Sequence, residues 1–256
     1  MMPKVAIDPD AQAFITATGI SGINSTAINT LVVDLKSANI WSKMKAIYPM
    51  VGGTSSTCKY NLKDPRDLDA AYRLTFFGGG TFSSNGYQGN GTNAYANTFL
   101  NVNTVLNGTN SHLSYYSRTI APAITADYYM IGAYDIAGHF YAIDIIPNMY
   151  SSLGSILLSN NTPIVNSSGF FIVKKETNNN QKAIRNSSIL DTKVQTGTTK
   201  PSFNIGINAL IFTNGVFGYS PFECAFSSIG DGLTDLEATS FYNIVQNFNT
   251  TLSRQV

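Results

Sequence analysis

Apolar and polar positions follow two different periods along this chain of 256 residues. Before residue 50, apolar side chains recur three to five positions apart, as in Ile28, Leu31, Val32 and Leu35. This spacing is typical of one face of a helix. After residue 80, short runs alternate between apolar and polar residues, which is the period of a strand with one buried face. The pattern therefore predicts helices first and sheet afterwards.

Residues 1–50 are predicted to form a helical segment that packs or attaches. Asp10 can cap a first helix that Gly19 ends, and Ser25 can cap a second helix. The apolar face continues through three further residues, Trp41, Met44 and Ile47. Faces this large have to be buried, either on the chain's own sheet or on a neighbouring subunit. Deletion of residues 1–48 is expected to release a folded β domain, unless the helices belong to its core.

Residues 51–80 are predicted to connect the helices to the sheet. Asp64, Asp67 and Asp69 lie close together around Arg66. Carboxylates this close can bind a metal, but Ca²⁺ loops need more oxygens in a pattern broken by Gly. We therefore favour a turn in which Arg66 or Arg73 neutralises the acids.

Residues 81–256 are predicted to form a mainly β, antiparallel sandwich of the jelly-roll type. Gly, Asn or Pro separates many short apolar runs, and no long helical pattern intervenes. The candidate strands are 94–100, 112–118, 128–134, 140–146, 156–158, 169–175, 182–186, 203–208 and 224–229.

An amphipathic helix is predicted at the C-terminus. Thr234 and Glu237 have the spacing of a capping box, in which each side chain bonds the other residue's backbone. The stripe expected to be buried consists of Leu236, Phe241, Ile244, Val245 and Phe248.

Charge changes the picture because there is so little of it. Charged residues make up 12% of the chain and the net charge is +1, against about 25% charged residues in an average protein. Without a basic stripe the chain is not expected to bind nucleic acid. The N-terminal residues lack an apolar run of signal-peptide length, and no run is long enough to span a membrane. Such a surface suits a member of a large assembly or a protein that works outside a cell.

Cys58 and Cys224 are far apart in the sequence. Two cysteines are not a disulfide framework, and without export buried thiols are favoured over a bridge. The sequence leaves open whether the two cysteines are bridged.

Candidate chemistry is sparse. Glu176, Glu223 and Glu237 do not form the closely spaced carboxylate pair of a glycosidase, and both His112 and His139 are interpreted as surface or loop histidines. The chain is therefore predicted not to be an enzyme and to need no cofactor. The alternatives are a cellular carbohydrate-binding module and a polysaccharide-degrading enzyme that uses Asp135, Asp144 and Glu223. If a metal binds, it is expected to be Ca²⁺ at the sandwich edge, with Asp135, Asp144 and Asp231 as ligands.

Tyrosine is the residue most suited to a glycan, since its ring stacks on a sugar and its hydroxyl bonds one. Tyr87 and Tyr219 lie among Gly, Asn and Ser, and so are the tyrosines expected to be exposed.

Four segments resemble the concanavalin A-like, laminin-G-type jelly rolls. Residues 91–96 (GTNAYA) are similar to an opening strand, residues 112–118 (HLSYYSR) to the core strand that follows, residues 203–206 (FNIG) to a late strand, and residues 226–237 to the closing strand and its helix. The resemblance covers roughly residues 80–250 and implies a lectin-like sandwich.

A second resemblance spans nearly the whole chain. Residues 8–14 (DPDAQAF), 40–49 (IWSKMKAIYP), 64–71 (DPRDLDAA) and 228–235 (SIGDGLTD) are similar to a family of virion proteins of tailed bacteriophages. This resemblance implies a tail fibre, head fibre or decoration subunit, localised to the virion. The partners it implies are other virion proteins, copies of the chain itself in a trimer, and host-surface glycan. It assigns no site residues.

Overall fold

The computed structural model describes residues 6–120, 126–146, 148–154, 158–159, 166–177 and 179–256. Its α-helices are α1 (Pro9–Thr18), α2 (Ile23–Ser37), α3 (Ser55–Cys58), α4 (Val102–Val105) and α5 (Asp235–Thr251). Its strands are β1 (Met44–Tyr48), β2 (Thr75–Phe77), β3 (Thr81–Ser83), β4 (Gly86–Gln88), β5 (Tyr95–Asn101), β6 (Ser111–Ser117), β7 (Tyr128–Tyr134), β8 (Phe140–Ile146), β9 (Asn148–Gly154), β10 (Leu158–Ser159), β11 (Gly169–Lys175), β12 (Asn180–Arg185), β13 (Ser188–Val194), β14 (Asn204–Ile207), β15 (Leu210–Phe212), β16 (Gly215–Phe217) and β17 (Glu223–Gly230).

The strands form two sheets. The eight-stranded sheet has the order β13-β12-β11-β6-β17-β4-β3, and β1 also pairs with β17. The nine-stranded sheet has the order β10-β9-β8-β7-β14-β5-β2, and β15 pairs with both β7 and β16. Among the described strands, pairing is antiparallel except between β15 and β7. Together with the helices at both ends, this arrangement confirms the predicted antiparallel β-sandwich.

Alternate residues of the eight-stranded sheet face two different cores. Tyr115 and Phe171 point into the core between the sheets. Their neighbours Tyr116 and Phe170 belong to a second core, with residues of α1, α2 and α5. The molecule is therefore layered as helices, eight-stranded sheet, sandwich core and nine-stranded sheet. Apolar residues on both faces explain why β6 and β11 are buried along their whole length.

The N-terminal helices pack on the chain's own sheet. Helix α1 is capped by Asp8 rather than by Asp10, with Pro9 in the first turn, and it ends at Gly19, whose φ of 69° is left-handed. Helix α2 is capped by Gly22 rather than by Ser25, and five of its residues are buried: Ala27, Ile28, Leu31, Val32 and Leu35.

The end of the predicted helical segment is a strand. Residues 44–48 form β1, whose Ala46 and Tyr48 lie opposite Ile229 and Ser227 of β17. The expectation that Met44 and Ile47 continue a helix face is wrong. These apolar residues are consecutive because β1 is covered on both sides, by the sandwich core and by the helices. A boundary at residue 50 thus separates β1 from its partner strand.

The C-terminal helix begins at the predicted capping box, in which Thr234 and Glu237 bond each other's backbone. Three residues of its predicted stripe are buried as expected, namely Phe241, Val245 and Phe248, and Ile244 is half-buried. Leu236 is 78% exposed, so its predicted burial is wrong. It lies five residues before Phe241, which places it on another side of the helix.

The acidic turn in the connector is neutralised by basic side chains. Arg66 donates to Asp64 at 2.5 Å, and Arg73 donates to Asp69 at 2.9 Å. Lys59 lies 2.5 Å from Asp67. The favoured interpretation of a neutralised turn is confirmed.

Both cysteines are free thiols and buried. Burial raises the pKa of the Cys58 thiol to about 11 and also raises the pKa of Cys224. Among the described residues, no helix combines the length and the apolar character that a membrane crossing requires.

Candidate ligand-binding face

The candidate site lies on the outer face of the nine-stranded sheet, on the side of the molecule opposite the helical layer. The helices cover the outer face of the eight-stranded sheet, where Phe170 and Phe226 pack against Phe241 of α5. On the other side of the molecule, a small cluster of Tyr129, Ala142 and Leu210 lies on the outer face without any helical residue in it.

Three aromatic residues form what we call the aromatic patch: Phe77, Tyr95 and Tyr219. The rings of Phe77 and Tyr95 are stacked, with centroids 4.9 Å apart and planes inclined by 15°. The ring of Tyr219 lies 6.1 Å from that of Tyr95 and is tilted by 56°. Phe77 is 42% exposed, and both tyrosines are half-buried.

Strand pairing explains the stacked pair. In the β2–β5 ladder, Phe77 lies directly opposite Tyr95. Side chains at opposite positions of antiparallel strands share a face and are close enough for aromatic contact. In β5, Ala96, Thr98 and Leu100 are buried while Tyr95 and Asn97 are only half-buried, so Tyr95 points outward.

The loop after β16 holds Tyr219. The backbone N–H of Ser220 donates to the carbonyl of Asn208 at 2.8 Å. The buried Asn208 side chain donates to the carbonyl of Phe222 at 2.9 Å and accepts from the Tyr115 hydroxyl at 2.6 Å. Tyr219 is therefore carried by a loop that is tied into the core.

Gly218 fixes how this loop leaves β16. Its φ is +63°, and a Cβ built there would lie 2.3 Å from the Tyr129 ring. Glycine tolerates the left-handed conformation and the close approach. The loop can therefore pass directly over that ring on its way to Tyr219.

The patch offers apolar ring faces and free hydroxyl groups. Burial raises the pKa of Tyr95, and the nearby Tyr219 adds to the increase, so the Tyr95 hydroxyl stays protonated. Within the described part of the chain, neither hydroxyl has a protein partner. Aromatic rings with a few polar groups are typical of sites for small polar ligands, with rings for stacking and hydroxyls for orientation.

Tyr87 does not belong to this face. Its side chain is fully buried, so the expected exposure is wrong. The ring packs against Phe76 and Phe82 at 4.8 and 5.0 Å between centroids, because β4 turns it into the sandwich core. Burial raises the pKa of Tyr87. The neighbouring glycines and asparagines form the turns around β4 and do not expose the ring.

The proposed calcium ligands are not brought together. Asp135 binds His139 within the β7–β8 hairpin at 2.9 Å, and Asp231 binds Lys45 at 2.9 Å beside the other sheet. Asp144 lies four residues beyond the start of β8, roughly 13 Å along the strand at the usual rise. Across the described ranges, no three His, Cys, Asp or Glu residues are grouped as a metal site.

Asp144 is nevertheless unusual. Its side chain lies on the outer face, opposite Tyr129 and Tyr150, yet it is only 5% exposed. Burial raises its pKa well above the ordinary value, and the charge of Asp127 raises it further. By contrast, burial acts to raise the pKa of Asp135, but hydrogen bonds from His139 outweigh it and the net shift is downward.

His112 is buried, so its interpretation as a surface histidine is wrong. Its Nδ1 lies 2.6 Å from the carbonyl of Asp231, and its Nε2 lies 3.0 Å from the hydroxyl of Ser228. A carbonyl only accepts, so Nδ1 carries the hydrogen and the Ser228 hydroxyl donates to Nε2. Burial lowers the pKa of His112 to about 4. This serine–histidine contact lies beneath Phe241, away from the ligand-accessible face.

Glu223 is occupied by an ion pair with Arg118 at 2.6 Å. Glu223 begins β17 of the eight-stranded sheet, whereas Asp144 lies on β8 and Asp135 follows β7 of the other sheet. The acids considered for catalysis are thus dispersed over the molecule.

Comparisons with known proteins identify the fold. No family model matches the chain, and no curated protein matches it. Solved structures do match. A structure of botulinum neurotoxin type C is 13% identical, with a TM-score of 0.55, over 82% of this chain and 53% of that one.

Two further structures give the same result. The binding domain of botulinum neurotoxin serotype D/C is 13% identical with a TM-score of 0.54, over 80% of this chain and 53% of that one. A structure described as "the receptor binding domain" is 14% identical with a TM-score of 0.51, over 83% and 53%. The chain spans about half the length of these structures. It is a β-sandwich of the kind found in these binding domains.

Proposed function

We propose that this chain is a non-enzymatic binding protein whose aromatic patch holds a glycan. The observation that carries the proposal is the patch itself, because β2, β5 and the loop after β16 bring Phe77, Tyr95 and Tyr219 together. The stacked pair gives a platform for the apolar face of a sugar ring. The hydroxyls of Tyr95 and Tyr219, which have no partner among the described residues, can bond sugar hydroxyls.

The fold neighbours support this proposal. Cell entry of botulinum neurotoxin type C is described as dependent on interaction with two ganglioside molecules. Gangliosides carry sugars, so a domain containing this type of sandwich occurs in a protein that binds carbohydrate-bearing lipids. This support comes from the shared fold alone, since the sequence identity to the neurotoxin structure is 13%.

We propose further that the protein is part of a tailed-phage particle, as a fibre or decoration subunit that associates with copies of itself. This role rests on the sequence resemblance of residues 8–14, 40–49, 64–71 and 228–235. The low charge of the chain agrees with a place in a large assembly. Gold-labelled antibody on purified virions tests the location, and light scattering after size-exclusion chromatography tests for a trimer. Absence from virions would contradict the role.

The binding proposal is tested with a glycan array followed by titration calorimetry on the strongest hit. Tyr219→Ala and Tyr95→Ala are each expected to lower affinity by about tenfold. This corresponds to about 1.4 kcal/mol, which is within the roughly 1–3 kcal/mol that a base gains by stacking on an aromatic ring. Leu236→Ala is the matched control, because Leu236 is also an exposed apolar residue but lies on α5.

The control is expected to leave affinity unchanged. Equal loss in the control and the patch variants, or undiminished binding by both patch variants, would contradict the patch as the site. Absence of any glycan ligand would remove the proposal itself.

The non-enzymatic part has its own test. The array hit is incubated with the protein at high concentration, and the products are followed by mass spectrometry. No change in ligand mass is expected. If turnover occurs and Asp144→Asn abolishes it, the chain is an enzyme instead.

A further inference from the structure

A cavity of about 330 Å³ lies at the edge of the nine-stranded sheet, between α3 and β2. Ser55, Lys59, Arg73, Thr75 and Phe76 are among its lining residues. The backbone N–H of Leu74 donates to the carbonyl of Lys59 at 2.7 Å, which ties the two walls together. Cavities that bind small ligands begin at about this volume.

One wall of the cavity has a hydroxyl group without a partner. The Oγ1 atom of Thr75 is buried and makes no hydrogen bond within the described chain. The large majority of buried polar side-chain atoms in proteins are bonded. An unpartnered hydroxyl in a residue that lines a cavity therefore indicates a position where a polar ligand would form the missing bond.

The charges around the cavity indicate which kind of ligand fits. Lys59 pairs with Asp67 at 2.5 Å, and Arg73 contacts Asp69 at 2.9 Å and Asp67 at 3.4 Å. Two cations and two anions cancel, so a charged ligand gains no net attraction. Arg73 and Lys59 still offer hydrogen-bond donors to a ligand. The hydroxyls of Ser55 and Thr75 can both donate and accept, and Phe76 adds an apolar surface. This combination matches an uncharged sugar unit.

The cavity and the aromatic patch both include residues of strand β2. Phe76 lines the cavity, and the next residue, Phe77, belongs to the patch. Thr75 and Phe77 share a face of β2, since alternate residues of a strand point the same way. A ligand lying on the patch can therefore extend over the edge strand into the cavity.

We propose that this cavity is a second sugar subsite, so that the protein binds a chain of several uncharged sugar units rather than a single terminal sugar. The inference rests on the proposed glycan binding at the patch. It assigns a role to Thr75 and Arg73, which lie outside the patch.

The test compares ligands of increasing length. Neutral gluco-, manno-, galacto- and xylo-oligosaccharides, from the monosaccharide to the hexasaccharide, are titrated into the full chain. For a series that binds, affinity is expected to rise by about tenfold between the disaccharide and the tetrasaccharide, which corresponds to about 1.4 kcal/mol.

Thr75→Val removes the unpartnered hydroxyl and keeps the side-chain shape. Arg73→Gln removes a donor from an exposed ion pair. In each variant the tetrasaccharide is expected to bind only about twofold more tightly than the disaccharide, while the affinity for the disaccharide is retained. Thr192→Val is the matched control, because Thr192 lies exposed on β13 of the other sheet.

The outcomes separate the two proposals. If affinity does not depend on length, or if both cavity variants keep the full gain, the subsite is refuted while binding at the patch stands. If no oligosaccharide in these series binds although a ligand from the glycan array binds at the patch, the inference is refuted and the proposed function stands. A loss of length dependence in Thr192→Val would also refute the assignment.

Discussion

At the scale of single residues, several ionisable side chains are buried, and their burial lowers the free energy of unfolding when they are charged. Asp144 has no basic partner in the described structure, and His112 is held neutral under a phenylalanine. Charged forms are costly in such surroundings because they lose their hydration. Both residues therefore make the stability of the protein depend on pH, but over different ranges.

Asp144→Asn is expected to stabilise the protein at pH 7 by about 1–3 kcal/mol. The pKa of Asp144 is higher in the folded than in the unfolded protein. The protonated carboxyl therefore stabilises the fold fully below the unfolded-state pKa, and this stabilisation is lost as pH rises through the folded-state pKa. The difference in unfolding free energy between Asp144→Asn and the unchanged protein should therefore vanish near pH 3. Urea denaturation at pH 7 and pH 3 measures this difference, with Asp34→Asn as control. A destabilised variant at pH 7 would show that the carboxylate has a favourable partner.

His112 is expected to make the protein less stable in mild acid. Its pKa is about 4 when folded against 6.5 as a free side chain, so the unfolded chain binds the extra proton between these values. Stability is then lost as pH falls from 6.5 to 4, by about 3 kcal/mol in all.

His112→Gln should remove this slope, as measured by denaturation at pH 7, 5.5 and 4. Because glutamine cannot titrate, an unchanged slope in the variant would assign the acid sensitivity to other groups. The control is His139→Gln, which alters the half-buried histidine of the β7–β8 hairpin.

At the scale of elements, β1, β17 and α5 are joined by a single side chain. Arg254 follows α5 and is 1% exposed. Its guanidinium donates to the carbonyls of Pro49 and Ala225 at 2.7 Å each, and of Met50 at 2.7 Å. Burial lowers the pKa of Arg254 to about 10, which still leaves it charged at neutral pH.

Arg254→Met is expected to destabilise the protein by about 3 kcal/mol or more, because several buried carbonyls lose their donor at once. Thermal unfolding measures the change. Arg66→Met is the control and should not shift the midpoint, since Arg66 is largely exposed. A shift of similar size in both variants would show that the buried contacts of Arg254 contribute little.

Removal of residues 1–48 is expected to prevent folding. The deletion takes β1 from its place beside β17 and uncovers Phe170 and Phe226, which pack in the core with α1 and α2. Removal of residues 1–7 leaves the Asp8 cap in place and serves as control. Circular dichroism and solubility distinguish the two. A soluble, folded product of the longer deletion would show that the sandwich is independent, as the sequence interpretation expected.

Strands bounded by glycine, asparagine or aspartate turns could be predicted from the sequence, whereas β1, which directly follows the helices, could not. The bounds of β7, β8 and β11 match the predicted strands. β1 was missed because apolar residues on both of its faces imitate a helix period. The predicted strand at 156–158 falls mostly outside the described residues. Tyr219 was found among its turn residues, but Phe77 and Tyr95 were missed because only the pairing of β2 with β5 brings them together.

At the scale of the whole molecule, binding at the patch should not depend on ionic strength. The chain carries a net charge of +1, and the patch contains no ionisable group other than tyrosine. Electrostatic binding weakens with added salt because ions screen it. Affinity for a neutral glycan is therefore expected to change less than about twofold between 50 and 500 mM NaCl. Calorimetry at both concentrations checks this, and a steep decrease would indicate ionic contacts.

The layering also has a consequence for copies held side by side. The helical layer and the patch lie on opposite outer surfaces, with two sheets between them. Copies seated on their helices would present all their patches in one plane and in one direction. Weak attachment at each patch would then be multiplied by avidity, because one bound copy raises the local concentration of ligand for the next. A modest affinity at each patch would then be enough for stable but reversible attachment to a surface that repeats the same sugar.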